Sequence, residues 1–121
     1  MKNSLGYIVL QLLRHNNISI DKKELQFQIE SHPSYPSLHA VTGVLDHFNI
    51  DNLALDVPKN QETLAQLPKI FLAQIDTNSG KEFVVAINKG VNYQLINSSK
   101  DKKIVGINDF LNQFTGIIVG L

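Results

Sequence analysis

The amino-acid sequence predicts an α+β fold in which a helical N-terminal half packs on a mostly antiparallel sheet. Three observations point to this class: apolar residues recur at helical spacing in the first half, strand-like runs dominate the second half, and Lys89-Gly90 forms a tight connection between two of those runs. The chain has 121 residues, of which 43% are hydrophobic and 18% charged, as in one globular domain. We therefore predict a single domain over residues 1–121.

The first two helices are predicted from apolar spacing and from a capping pattern. The first runs from about Ser4 to His15, and its apolar stripe follows the helical repeat. The residues of that stripe are Leu5, Ile8, Val9, Leu12 and Leu13. Asp21 and, three residues later, Glu24 resemble a capping box, which starts a second helix that runs through about Ser31. Each helix should bury one side against the rest of the domain.

A third helix is predicted after a loop that contains two prolines. Pro33 and Pro36 prevent the second helix from continuing, and Ser37 can cap the next one. The apolar residues on the inner face of this third helix would be Leu38, Val41, Leu45 and Phe48. Leu12 of the first helix and Leu45 of the third should therefore lie in the core.

The second half of the chain is predicted to consist mainly of strands. Their predicted ranges are 52–57, 69–75, 82–88, 91–96 and 115–121. The alternation of apolar and polar residues at 52–57 is typical of a half-buried strand, whereas 69–75 is largely apolar. Residues 76–80 have the composition of a turn. Short helices are expected at residues 61–67 and 107–114.

Charge and residue types exclude several classes of function. Lysine and arginine number 11 and acidic residues 11, so the net charge is zero and nothing favours a nucleic-acid partner. The chain has no cysteine, and its four histidines lack the spacing of metal ligands, so we predict neither disulfides nor a metal site. Without a glycine-rich phosphate loop we predict no cofactor. No apolar run approaches the roughly 18 residues that span a bilayer, so direct membrane insertion is not expected.

Aromatic residues are the candidates for binding a peptide. Tyr7, Tyr35, Phe83 and Tyr93 come from four different predicted elements, and an extended peptide docks well on aromatic rings beside a strand edge. The alternative is ordinary core packing, which we favour for Phe83. Tyr35 stands between two prolines in a loop and is the better surface candidate.

Several segments together resemble one known family. They are the helix start Tyr35-Pro-Ser-Leu38, the strand Glu82-Phe-Val-Val85 and the ending Asp109-Phe-Leu-Asn-Gln-Phe-Thr-Gly-Ile-Ile-Val119. In this order they resemble the bacteriocin-processing cysteine peptidase domain. The resemblance covers nearly the whole chain and implies a papain-like fold. Domains of that family lie at the N-terminus of peptide-exporting ABC transporters and cut leader peptides after a double glycine.

The resemblance also implies which residues replace the catalytic ones. Active members of the family have a cysteine at the start of the first helix, a histidine at the opening of the Phe-Val-Val strand and an aspartate at the end of the next strand. The matching positions here are about Ser4, Glu82 and Asn97. The chemistry requires a thiolate activated by an imidazole, which a carboxylate orients. Since none of the three groups is present, we predict that this chain is not an active enzyme.

Our leading hypothesis is a non-catalytic domain that binds an extended peptide in the remnant of a protease cleft. The predicted contacts are Tyr7, Tyr35, Glu82 and Asn97. A structural or regulatory docking module, which contacts its own membrane protein and binds no free peptide, is the alternative. A peptidase with a substituted nucleophile is the third hypothesis.

A membrane-linked context follows from the same resemblance. The segment His32-Pro-Ser-Tyr-Pro-Ser-Leu38 is similar to that of degenerate domains fused to vitamin K epoxide reductase-like membrane proteins, and other degenerate domains precede transporter ATPase modules. We expect the chain to be the N-terminal part of a longer bacterial membrane protein that serves peptide export or thiol-redox chemistry. Its partners would be a peptide or protein substrate and the downstream membrane domain. In a transporter it would lie at the cytoplasmic face of the inner membrane.

Overall fold

The helical half of the chain precedes the sheet, as predicted. The computed structural model describes residues 5–121. The helices are α1 (Leu5–His15), α2 (Lys22–Glu30), α3 (Leu38–His47), α4 (Gln61–Gln66) and α5 (Ile107–Gln113). The strands are β1 (Leu53–Asp56), β2 (Ile70–Thr77), β3 (Gly80–Asn88), β4 (Asn92–Ile96), β5 (Lys102–Gly106) and β6 (Phe114–Gly120). In the part of the chain from residue 5 onwards, no helix is long and apolar enough to cross a membrane.

The six strands form one sheet in the order β1-β6-β2-β3-β4-β5. Every neighbouring pair is antiparallel, which confirms the predicted α+β class. The hairpin of β3 and β4 turns at Lys89-Gly90, as predicted, and Gly90 has a φ of 97° that favours glycine. Strand β6 passes close to the chain that follows β1. A Cβ atom added to Gly116 would lie only 2.7 Å from the carbonyl oxygen of Val57. In this strand order, β1 and β5 are the two edges of the sheet.

Two hydrophobic layers cover the two faces of the sheet. Helices α1, α2 and α3 pack on one face, where Leu12 and Leu45 are fully buried as predicted. The other face is covered by α4 and α5 and is rich in aromatic rings. Successive side chains of β3 point to opposite faces of the sheet, so Val85 belongs to the helical layer and Val84 to the aromatic one.

The helix starts agree with the predicted caps in position and differ in two contacts. The Glu24 carboxylate accepts a hydrogen bond from the Gln28 side chain at 3.0 Å instead of returning to the backbone of Asp21, so the predicted capping box is only half formed. The Asp21 carboxylate accepts hydrogen bonds from the backbone N–H groups of Lys23 and Glu24, at 2.9 and 3.1 Å, which satisfies donors that the first turn leaves open. Ser37 occupies the N-cap of α3, but its side chain makes no capping hydrogen bond. The position of Ser37 was therefore predicted correctly, while its side-chain contact was not.

Three predictions about the strands need correction. Residues of β1 are all exposed rather than half-buried, because this strand lies at the edge of the sheet. Strand β5 was not predicted, because Lys102 and Lys103 obscure its strand pattern. The turn predicted at residues 76–80 is tighter, because β2 continues to Thr77 and β3 begins at Gly80.

Candidate functional site

A groove of about 270 Å³ opens where the first turn of α1 meets the start of β3. Its apolar wall consists of Leu5, Ile8, Pro36 and Phe83, and its polar wall of Ser79, Lys81, Glu82 and Ser98. These residues come from α1, the loop before α3, the β2–β3 hairpin and the segment after β4. The tertiary fold therefore brings together residues that are far apart in the sequence.

Packing of α1 on the sheet sets the apolar wall of the groove. Leu5 and Ile8 lie on the buried side of α1, one helical turn apart, and both belong to the core of the helical layer. Phe83 is half-buried and packs against the same core from β3. Because these side chains are held by the core, the shape of this wall is set by packing rather than by any bound molecule.

Glu82 stands at the start of β3, opposite Ile75 of β2. Its carboxylate accepts a hydrogen bond of 2.8 Å from the hydroxyl of Thr77, which lies at the end of β2. Next to it, the Lys81 ammonium pairs with the Asp76 carboxylate at 2.8 Å, and both side chains are more than half exposed. The Thr77 hydroxyl thus holds the Glu82 carboxylate, while the neighbouring Lys81 pairs with Asp76.

Asn97 follows β4 and holds the turn that leads to β5. Its side-chain oxygen accepts hydrogen bonds from the backbone N–H groups of Ser99 and Asp101, at 2.9 and 3.1 Å. The backbone N–H of Asn97 also donates to the carbonyl of Asp101 at 3.1 Å. The side-chain oxygen of Asn97 is therefore engaged in the turn, and the residue that follows it, Ser98, lines the groove.

The two tyrosines predicted as peptide contacts pack beside the groove rather than along its wall. Tyr7 and Tyr35 are both half-buried against the helical core. The Lys100 ammonium lies 5.5 Å from the centre of the Tyr7 ring, a cation–π geometry. Burial, followed by the nearby Glu30 carboxylate, raises the pKa of the Tyr35 phenol. Each tyrosine is close in sequence to a lining residue, since Leu5 and Pro36 line the groove.

The remaining predicted position, Ser4, lies outside the described residues. Leu5, which follows it, lines the same groove as Glu82. Ser79 and Ser98 line the groove as well and were not among the sequence-predicted site residues, because an isolated serine in a turn carries no pattern. Among residues 5–121, no three histidine or acidic side chains come close enough together to hold a metal ion.

Comparison with solved structures defines the fold. The peptidase domain of Streptococcus ComA, a bifunctional ABC transporter involved in quorum sensing, matches 98% of this chain and 89% of its own with a TM-score of 0.76 at 7% identity. A double-glycine-motif protease from an AMS/PCAT transporter, in complex with the leader peptide, matches 97% of this chain and 81% of its own with a TM-score of 0.77 at 13% identity. The chain has the fold of these peptidase domains.

A third solved structure supports the same fold. The N-terminal peptidase C39-like domain of a toxin secretion ATP-binding protein from Vibrio parahaemolyticus matches 98% of this chain and 95% of its own, with a TM-score of 0.56 at 12% identity. Comparison with protein-family profiles finds no match for the sequence, and neither does comparison with curated proteins. The papain-like fold class predicted from the sequence is confirmed by these structures.

Proposed function

We propose that this chain is a non-catalytic leader-peptidase-like domain that binds an extended peptide without cutting it. The observation that carries the proposal is the groove between α1 and β3, which has Glu82 on its wall in a chain that contains no cysteine. A carboxylate in place of an imidazole, and the absence of any thiol, remove the two groups on which cysteine peptidase chemistry depends. The fold retains a site for a peptide and lacks the means to cleave it.

The chemistry of the groove fits the main chain of an extended peptide. Leu5, Ile8 and Phe83 offer apolar contacts, while the hydroxyl groups of Ser79 and Ser98 can bond to peptide N–H and carbonyl groups. A peptide ending in two glycines can come close to such a wall because glycine has no side chain. A solved protease with this fold holds a leader peptide, which supports a peptide as the ligand class.

The sequence-predicted contacts Tyr7, Tyr35, Glu82 and Asn97 are assigned different parts in this proposal. Glu82 contacts the peptide directly. Tyr7 and Tyr35 pack beside the groove, so they would contact only the parts of the peptide that extend beyond it, and Asn97 fixes the turn that carries Ser98. The peptide partner would be a secreted leader peptide or a protein substrate, and the downstream membrane domain of the same chain would receive it.

Binding should be weak, because ordering a flexible peptide offsets much of the contact free energy. The test is a titration of ¹⁵N-labelled protein with a leader peptide that ends in Gly-Gly, followed by amide chemical shifts. We expect a dissociation constant in the micromolar range or above, with shifts concentrated at Leu5, Glu82, Phe83 and Ser98.

Two matched variants locate the binding site. Ser98→Leu should fill the groove and weaken binding, whereas Ser99→Leu, at an exposed neighbouring position that does not line the groove, should leave binding unchanged. A pattern of shifts on a remote face, or no shift at the highest soluble peptide concentration, would contradict the proposal and favour the docking module.

A further inference from the structure

The two edges of the sheet have opposite character. Strand β5 carries Lys102 and Lys103, and exposed lysines on an edge oppose pairing with another strand. Strand β1 has the sequence Leu53-Ala-Leu-Asp56, and all four of its residues are exposed. A short apolar edge without lysine is open to pairing with a further strand.

The hydrogen-bonding groups of β1 show which residues are available. The backbone N–H of Val57 donates to the carbonyl of Gly116 at 2.8 Å, in line with the register of β1 against β6. Since inward and outward groups alternate along an antiparallel strand, Leu53 and Leu55 also bond to β6. The backbone groups of Ala54 and Asp56 consequently point away from the sheet, where β1 has no neighbouring strand.

Side chains along β1 favour an apolar neighbour. Leu53 and Leu55 are 59% and 42% exposed and lie on the same face of the strand. They border a shallow cavity of about 340 Å³ whose other apolar lining residues include Leu67, Pro68 and Ile118. A second strand beside β1 would bury these leucines and bond to the open backbone groups at the same time.

We propose that β1 pairs in antiparallel fashion with β1 of a second copy of this chain, in a register centred on Leu55. In this register the open backbone groups of Ala54 in one copy meet those of Asp56 in the other, and the Leu55 side chains face each other across the two-fold axis. Leu53 lies opposite Val57 of the second copy. The pairing therefore supplies hydrogen-bond partners for the open backbone groups of β1 and covers its exposed leucine side chains.

Charge selects this register among those that match the open backbone groups. Continued beyond the paired residues, the register centred on Leu55 brings Asp51, which precedes β1, toward Lys59 of the second copy, which follows β1 and Pro58, twice by symmetry. Centring on Asp56 would oppose two like carboxylates, and centring on Ala54 would separate Asp51 from Lys59. Both residues are exposed, and neither forms an ion pair within residues 5–121, where the ion pair present is Lys81–Asp76.

The assembly closes at two copies. A two-fold interface uses the same surface in both partners, so β1 of each copy is already paired and cannot bind a third copy. The outer edges of the combined sheet are then the two β5 strands, whose lysines oppose further growth. We therefore expect a dimer and no fibre.

Sedimentation velocity over a range of protein concentrations tests the proposal on this chain as it stands. We expect a reversible dimer whose dissociation constant rises about tenfold or more in Leu55→Lys, because two charges then meet at the axis. Asp51→Lys alone should also weaken the dimer, and Asp51→Lys combined with Lys59→Asp should restore it. Ile104→Lys, at an exposed position on β5, is the matched control and should have no effect.

Amide hydrogen exchange provides a second measurement that does not depend on any variant. Protection of the Ala54 and Asp56 amides should rise with protein concentration, while that of Leu55, already bonded to β6, should not. A chain that remains monomeric at the highest concentration, or a dimer that Ile104→Lys disrupts as strongly as Leu55→Lys, would overturn the proposal. A dimer with no rescue in the double charge reversal would overturn the register.

Discussion

The two faces of the sheet are covered in different ways. Helices α1, α2 and α3 bury mainly aliphatic side chains on one face, whereas the other face holds a contiguous aromatic group. The rings of Tyr93 and Phe110 stack with their centres 4.7 Å apart, and those of Phe110 and Phe114 with centres 5.1 Å apart. The groove opens at the rim of the helical layer, because Leu5 and Ile8 form part of its wall. Stability contributed by the aromatic layer should therefore be separable from the geometry of the site.

The largest effect is expected in the aromatic layer. Phe110 is fully buried between two stacked rings, and Phe110→Ala should lower the free energy of unfolding by about 3–5 kcal/mol, since it removes a large buried side chain and leaves a cavity. Urea denaturation measures this change. Amide shifts of Phe83 and Ser98 in the folded fraction should stay close to wild type; large shifts there would show that the two layers are not separable.

The matching change in the helical layer is Leu12→Ala. Leu12 is fully buried on α1, and its truncation should cost about 2–5 kcal/mol. Because the same helix carries Leu5 and Ile8, this variant should also shift the amides that line the groove. Lys22→Ala, at an exposed position at the start of α2, serves as the control and should change the stability little. A Leu12→Ala protein as stable as wild type would contradict the assigned packing of α1.

A smaller effect is expected at the turn beside the groove. The Asn97 side chain accepts two backbone hydrogen bonds, so Asn97→Ala should destabilise the protein by about 1 kcal/mol. Asn88 accepts one such bond, from the N–H of Gly90 at 2.8 Å, and Asn88→Ala is the matched comparison with a smaller expected loss. Thermal unfolding of the two variants measures the difference, and the reverse order of stability would show that the two bonds of Asn97 contribute little.

The smallest effect is a dependence of stability on pH. Partial burial, followed by the charges of Lys102 and Lys89, lowers the pKa of His15 below its ordinary value of 6.5. The unfolded chain therefore takes up the proton first as pH falls below 6.5, so stability should decline from there until the pH passes the lowered folded pKa. His15→Gln should make unfolding curves between neutral and mildly acidic pH more alike, and an unchanged decline in that variant would assign it to other groups.

Elements with local patterns could be predicted from the sequence, and the contacts between them could not. The stripe that contains Leu12 fixes α1 because a helical repeat is a local property. The edge strand β5 was missed because Lys102 and Lys103 reflect its exposed position in the sheet, which only the tertiary structure defines. Tyr93 of β4 stacks on Phe110 of α5, and the sequence of neither element indicates this contact.

The candidate site shows the same limit. Glu82 was identified through the resemblance of its strand to a known family, and it lines the groove. Ser79 and Ser98 were missed because single serines in turns are common, and nothing in their neighbourhood distinguishes them. Half-burial of Tyr7 and Tyr35 against the helical core depends on how the loop before α3 packs, which local patterns do not specify.

The central claim is that the groove binds a peptide and does not cut it. The most direct measurement incubates the protein with a leader peptide that continues beyond its Gly-Gly sequence, and follows amide shifts and the mass of the peptide in the same sample. We predict shifts at Leu5, Glu82, Phe83 and Ser98 together with a peptide of unchanged mass after prolonged incubation. Fragments cut after the double glycine, formed by wild type and lost in Ser4→Ala, would contradict the account.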